Sequence, residues 1–129
     1  MSQSITVYGI KNCTTVKKAL DYLTANGIAY TFFDYKKQPV TKTVLALLLD
    51  KFGADTVINT KSATYKKLSS DEQNALNAAC ATNDITTLCQ LVADKPSIIK
   101  RPLVVGDDAG APVTLVGFSV ADYDKVFAQ

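Results

Sequence analysis

Three cysteines and no histidine set the chemistry open to this chain. The thiols are Cys13, Cys80 and Cys89. Without imidazole there is no Cys-His pair and no histidine general base, and most zinc sites are ruled out. A nucleophilic cysteine must then draw its activation from the backbone and from cationic side chains. Cys13 is placed for that. It follows a strand-like run, Ile5, Val7 and Tyr8, that stops at Gly9, and it precedes Val16, Ala19, Leu20 and Leu23 at helical spacing. A sulfur between a strand end and a helix start meets unpaired N–H groups and the positive end of the helix dipole, and both favour the thiolate. Lys17, four residues on, shares its helical face, and Lys11 precedes it in the loop, so both cations are expected to push the same way. A small buried cysteine that merely packs is the competing reading of position 13.

Cys80 and Cys89 fall on the apolar stripes of their own segments and read as core residues. Either could resolve a disulfide at Cys13 only if their Cα atoms came within about 7 Å. Position 16, where a Cys-x-x-Cys motif would carry its second sulfur, is Val16. A monothiol cycle through a mixed disulfide with glutathione stays chemically open, because a second glutathione can resolve it.

The elements that must hold Cys13 are legible on both sides of it. The opening reads β-α-β: the strand at 5–8, the helix after Cys13 closed by Asn26-Gly27, and an aromatic and β-branched strand from Ile28 to Tyr35. Such a crossover joins parallel strands. Three helices follow. Thr41 caps the one carrying Val44, Leu45, Leu48 and Phe52, which stops at Gly53. Ser69 and Glu72 form a capping-box pattern ahead of Ala75, Leu76, Ala79 and Cys80. Asp84 caps the one bearing Ile85, Leu88, Cys89 and Val92. After Lys95-Pro96 the pattern returns to strands at 103–105 and 113–116, with a turn at Asp107-Asp108-Ala109-Gly110. Ser119 and Asp122 then open a last helix. Removing the helical stretch leaves β-α-β then β-β-α, the order of a thioredoxin-like core.

A length of 129 residues suits one domain, and 47% hydrophobic with 20% charged residues suits a packed fold. The 14 basic and 12 acidic side chains are too balanced to point to nucleic acid or a membrane surface. The N-terminus lacks a basic stretch followed by an apolar one, no apolar run approaches the ~20 residues of a membrane span, and the cysteine count is odd. A soluble, cytoplasmic protein with reduced thiols is expected, with no direct nucleic-acid or membrane partner.

Tyr-Gly-Ile-Lys-Asn-Cys at 8–13, Asn-Thr-Lys at 59–61 and Ile-Ile-Lys-Arg-Pro-Leu-Val at 98–104 together resemble the arsenate reductase (ArsC) family, closest to its branch of Spx-like regulators and YffB-type proteins. The resemblance implies a single ArsC-like domain over 1–129. Its α/β fold would be thioredoxin-like with a mixed four-stranded sheet, the core lying at about 1–36 and 96–129 and an inserted helical subdomain at about 40–95. It makes Cys13 the catalytic thiol and Arg101 an oxyanion-holding arginine. Lys11, Asn12, Lys17 and Lys61 would be further anion-binding positions, and Gly9 and Pro102 structural ones, with Pro102 where this fold carries a cis-proline. No bound cofactor or metal is implied.

In arsenate reductases the matching cysteine attacks arsenate, glutathione attacks the adduct, and glutaredoxin completes the cycle. Two departures set this chain apart. The second oxyanion arginine falls at Lys61, and the third is replaced around Gly117-Phe118. Lysine gives a point charge where arginine gives a planar fork. Lys61, Lys66 and Lys67 with Tyr65 form either an anion-attracting loop suited to a glutathione carboxylate or a solvated basic loop. The leading expectation is a glutathione-dependent monothiol reductase acting on glutathione or a glutathionylated thiol, with glutaredoxin as a further partner. The alternatives are a Spx-like adaptor binding the RNA polymerase α subunit and a true arsenate reductase.

Overall fold

The computed structural model describes residues 3–108 and 110–127. In chain order its elements are β1 (Gln3–Gly9), α1 (Thr14–Ala25), β2 (Thr31–Asp34), α2 (Lys42–Phe52), α3 (Ala54–Val57), α4 (Ala63–Lys66), α5 (Ser70–Thr82), α6 (Ile85–Asp94), a 3-10 turn (Pro96–Ile98), β3 (Leu103–Asp108), β4 (Ala111–Val116) and α7 (Val120–Phe127). The chain divides into two compact units, Met1–Asp34 with Arg101–Gln129, and Tyr35–Lys100.

The first unit is a mixed sheet in the order β2-β1-β3-β4. β1 runs parallel to β2 and antiparallel to β3, and β3 pairs antiparallel with β4. Alternation decides its faces. On β4, Val113 and Leu115 are buried while Thr114 and Val116 are exposed, as expected of an antiparallel edge strand covered on one side. Ile5, Val7, Val104, Val113 and Leu115 form one apolar cluster with Ala19 and Leu23 of α1 and Tyr123 of α7. This is the thioredoxin-like arrangement that the element order predicts. β1 and β3 approach so closely at Gly106 that an added Cβ would lie 1.7 Å from the Ser4 carbonyl oxygen, so no larger residue fits there.

Two sheet expectations are refined. The strand expected over 28–35 is only Thr31–Asp34, because the Ile28 amide is already committed to the end of α1. It donates to the Leu23 carbonyl at 2.9 Å across Gly27, whose φ is +69°. The hairpin strands reach further than expected, to Asp108 and from Ala111, which confines the turn. Ala109 of that turn lies outside the described residues.

The second unit is helical, and its caps are those read from the sequence. Thr41 accepts from the Val44 amide, Ser69 and Glu72 close a full capping box, and Asp84 accepts from the Thr87 amide. α6 packs against both α2 and α5. The sequence reading anticipates three helices here, whereas the structure has five. α3 and α4 are single turns of four residues, too short to show a hydrophobic period. Lys66 and Lys67, read as loop residues, are the last residue of α4 and its C-cap. The Asn59 amide donates to Ile98 and the Lys100 amide to Val57, tying the middle of the unit to its C-terminal end through a bridge at Ile58 and Ile99. Among the described residues no helix is long and apolar enough to cross a membrane.

Candidate active site

Cys13 is the N-cap of α1, with extended backbone (φ −122°, ψ 124°), and its carbonyl accepts the first intrahelical bond, from the Lys17 amide at 2.9 Å. An N-cap serine or aspartate would close a side-chain hydrogen bond here, and the cysteine closes none. The free N–H groups of the first turn are therefore left to act on the sulfur. Burial of the half-buried thiol opposes ionisation. Against it work the Val16 amide, a hydrogen bond and charge from Arg101, and the Thr15 amide, and together they hold the thiol below the usual cysteine range.

The seat of this thiol is fixed by packing. Val16 is fully buried, and a Cβ added at Gly9 would sit 2.8 Å from its Cγ2. Gly9 therefore lets the end of β1 lie directly against the first turn of α1. Position 16 is used to lock the helix N-terminus, where a dithiol protein would carry sulfur.

Arg101 reaches the same sulfur from the far end of the chain. It is the single arginine of the sequence. The Arg101–Pro102 peptide is cis, and the Pro102 carbonyl accepts from the Gly117 amide at 2.8 Å. Gly117, at φ +69°, in turn presents its own carbonyl to the Tyr123 hydroxyl at 2.8 Å. Tyr123 is fully buried, and that burial raises its phenol well above the usual range, so it stays a neutral donor. A chain of direct contacts thus runs from the core of α7 to the residue beside the thiol. The sequence reading misses the Tyr123 link, because no local pattern relates residues 102, 117 and 123. It does single out Gly117 as a departure from the family pattern.

The other expected site residues are placed as follows. Lys17 does not act on the sulfur. Its ammonium pairs with Asp21, one helical turn further on, at 2.7 Å, and it is largely solvated. A lysine at this position reaches along the helix to a carboxylate at i+4 more readily than back to the cap. Lys11 and Asn12 sit exposed in the turn before Cys13, and Lys11 is not among the groups that lower its thiol. Lys61 belongs to the helical unit, exposed in the turn before α4, with its amide donating to Asn59 Oδ1 at 3.1 Å. Cys80 and Cys89 are half-buried in the same unit, and the Cys89 thiol donates to the Val40 carbonyl at 3.5 Å. Burial, reinforced by Asp55, pushes the Cys80 thiol up.

A thioredoxin-like sheet with one acidified thiol at the N-cap of its first helix, and with an arginine acting on that thiol, defines a class of single-thiol thioredoxin-like proteins. Comparison with known proteins narrows this further. The ArsC family model matches residues 8–126. An uncharacterized protein of Haemophilus influenzae is 36% identical over 124 residues, 96% of this chain and 99% of that one. The solved structure of a YFFB protein is 32% identical with a TM-score of 0.76, over 95% of this chain and 98% of its own. The global transcriptional regulator Spx of Staphylococcus epidermidis is 27% identical over 107 residues, 80% of this chain and 74% of its own. The chain belongs to the ArsC family.

Proposed function

We propose that this protein is a glutathione-linked monothiol reductase. The observation that carries the reading is the Cys13 sulfur at the N-cap of α1, held below the usual thiol range by the Val16 and Thr15 amides and Arg101 in spite of burial. In the cycle, the Cys13 thiolate attacks the glutathione sulfur of a mixed disulfide RS–SG. A Cys13–SG bond forms as the RS–SG bond breaks, and RS⁻ leaves to take a proton from water. The thiolate of a second glutathione then attacks the glutathione sulfur of this adduct, so that a GS–SG bond forms as the Cys13–SG bond breaks, releasing oxidised glutathione and restoring the Cys13 thiolate. The net change is RSSG plus GSH giving RSH plus GSSG, so electrons balance and no second protein sulfur is needed. Arg101 and the first-turn amides stabilise Cys13 both as attacking and as leaving thiolate.

Incubation with oxidised glutathione tests this. One glutathione adduct mapping to Cys13 by mass spectrometry, and absent from Cys13→Ala, is the expected result. An adduct found only on Cys80 or Cys89 overturns it.

The similarity to global transcriptional regulators named Spx favours one second reading, a transcriptional regulator; in that reading this chain would bind the RNA polymerase α subunit without turnover. Retention on the α C-terminal domain by both wild type and Cys13→Ala would select it, and no retention would remove it. Arsenate reduction is less supported, because Arg101 is the single arginine available to hold the oxyanion. Arsenate-dependent consumption of glutathione in the presence of glutaredoxin would restore that reading.

A further inference from the structure

Charge is divided unevenly along this chain. The helical unit, Tyr35–Lys100, holds nine lysines against six carboxylates, while the rest of the chain holds four lysines and Arg101 against six. Three of the nine, Lys36, Lys67 and Lys95, line a single cleft of about 250 Å³. They arrive from three separate segments: Lys36 from the turn after β2, Lys67 as the C-cap of α4, and Lys95 as the C-cap of α6. Thr64 and Ser97 add hydroxyls to the same lining, and Asp94 is its only carboxylate among the described residues. A lysine at a helix C-terminus is favourable taken singly, because it answers the negative end of the dipole. That does not account for three lysines from separate segments lining one cleft. Lys95 also acts on the exposed carboxylate of Glu72. The grouping differs from the one the sequence suggests: Lys67 shares its cleft with Lys36 and Lys95, and neither Lys61 nor Lys66 lines it.

We propose that this cleft binds a small phosphate-bearing molecule. Lysines act as point charges that can surround a tetrahedral dianion from several directions, whereas a planar carboxylate is better matched by the arginine fork, which this cleft lacks. The two hydroxyls supply neutral donors to the remaining phosphate oxygens. The volume lies just under the ~300 Å³ at which pockets for larger organic ligands begin, so the ligand is a compact phosphomonoester. Every residue of this lining belongs to the helical unit, and binding there does not depend on the Cys13 chemistry.

The test is a titration of the full ¹⁵N-labelled chain at constant ionic strength, with inorganic phosphate, glycerol 3-phosphate and acetate as probes. Both phosphates should give saturable amide shifts at Lys36, Thr64, Lys67, Lys95 and Ser97. The double substitution Lys67→Ala with Lys95→Ala changes two exposed side chains, and it should weaken binding at least about tenfold, since it removes two charge-assisted contacts. Shifts confined to Thr15 and Val16 would put the anion at the Cys13 site and overturn the proposal. So would shifts that never saturate, that survive the double substitution, or that acetate reproduces equally.

Discussion

Cys13 and Cys80 are the same chemical group, one at the N-terminus of α1 and the other near the C-terminus of α5, and their surroundings drive them apart. Cys13 caps the N-terminus of α1, where the Val16 and Thr15 amides and Arg101 overcome burial and hold its thiol low. Cys80 lies in the last turn of α5, where burial and the Asp55 carboxylate push its thiol up. Both are half-buried, and Cys80 borders a cleft of about 350 Å³ that also touches Asp55 and Asn77. Access alone therefore does not separate them. What separates them is what meets the burial: first-turn N–H groups and a cation overcome it at Cys13, whereas at Cys80 burial is the larger cause and a carboxylate adds to it.

The largest consequence is selectivity. At neutral pH, iodoacetamide should modify Cys13 at least about tenfold faster than Cys80, because the thiolate is the reacting species. Time-resolved peptide mass spectrometry reads both rates in one sample, and equal rates would break the comparison. The next effect comes from removing the cation. Arg101→Ala takes away a hydrogen bond and a charge but leaves the Val16 and Thr15 amides in place, so Cys13 alkylation should slow by roughly three- to tenfold, with Cys80 unchanged as the internal control.

That Cys13 would sit at a strand–helix junction follows from Gly9, the 16-19-20-23 stripe and the Asn26-Gly27 stop, all local signals. The same is true of the three capped helices and the hairpin. The extent of β2 was not legible, because whether Ile28 joins a sheet or closes α1 depends on which carbonyl its amide finds. The one-turn helices α3 and α4 carry no period to read. At the site, helical spacing places Lys17 on the face of Cys13 but cannot show that Asp21, at the same spacing beyond it, competes for the ammonium. The Tyr123 to Gly117 to Pro102 path joins residues whose relation exists only after β3, β4 and α7 have packed.

Stability against pH reads the same contrast through folding. The Cys13 thiol is lowered on folding, so its contribution is present above the unfolded value of ~8.5 and is lost as pH falls through the folded value. The Cys80 thiol is raised, so its contribution is complete below ~8.5 and is lost as pH rises through its folded value. Thermal melts under reducing conditions should therefore split by variant. Relative to wild type, Cys13→Ala loses the gain on approaching pH ~8.5, and Cys80→Ala loses the decline above it. Difference curves of the same sign would contradict the assignment of opposite shifts.

The smallest expected effect isolates the charge from the burial at Cys80. Asp55 is exposed, so solvent screens its field, and burial is the larger cause of the raised thiol. Asp55→Asn keeps the shape and removes the charge. Alkylation of Cys80 should rise by no more than about twofold, while Cys13 holds its rate. A larger rise would make Asp55, rather than burial, the dominant brake on Cys80, and the two thiols would then differ by single charged neighbours. A rise within that bound leaves the difference with the first-turn amides at Cys13 and the burial at Cys80, where substitution of one side chain cannot erase it.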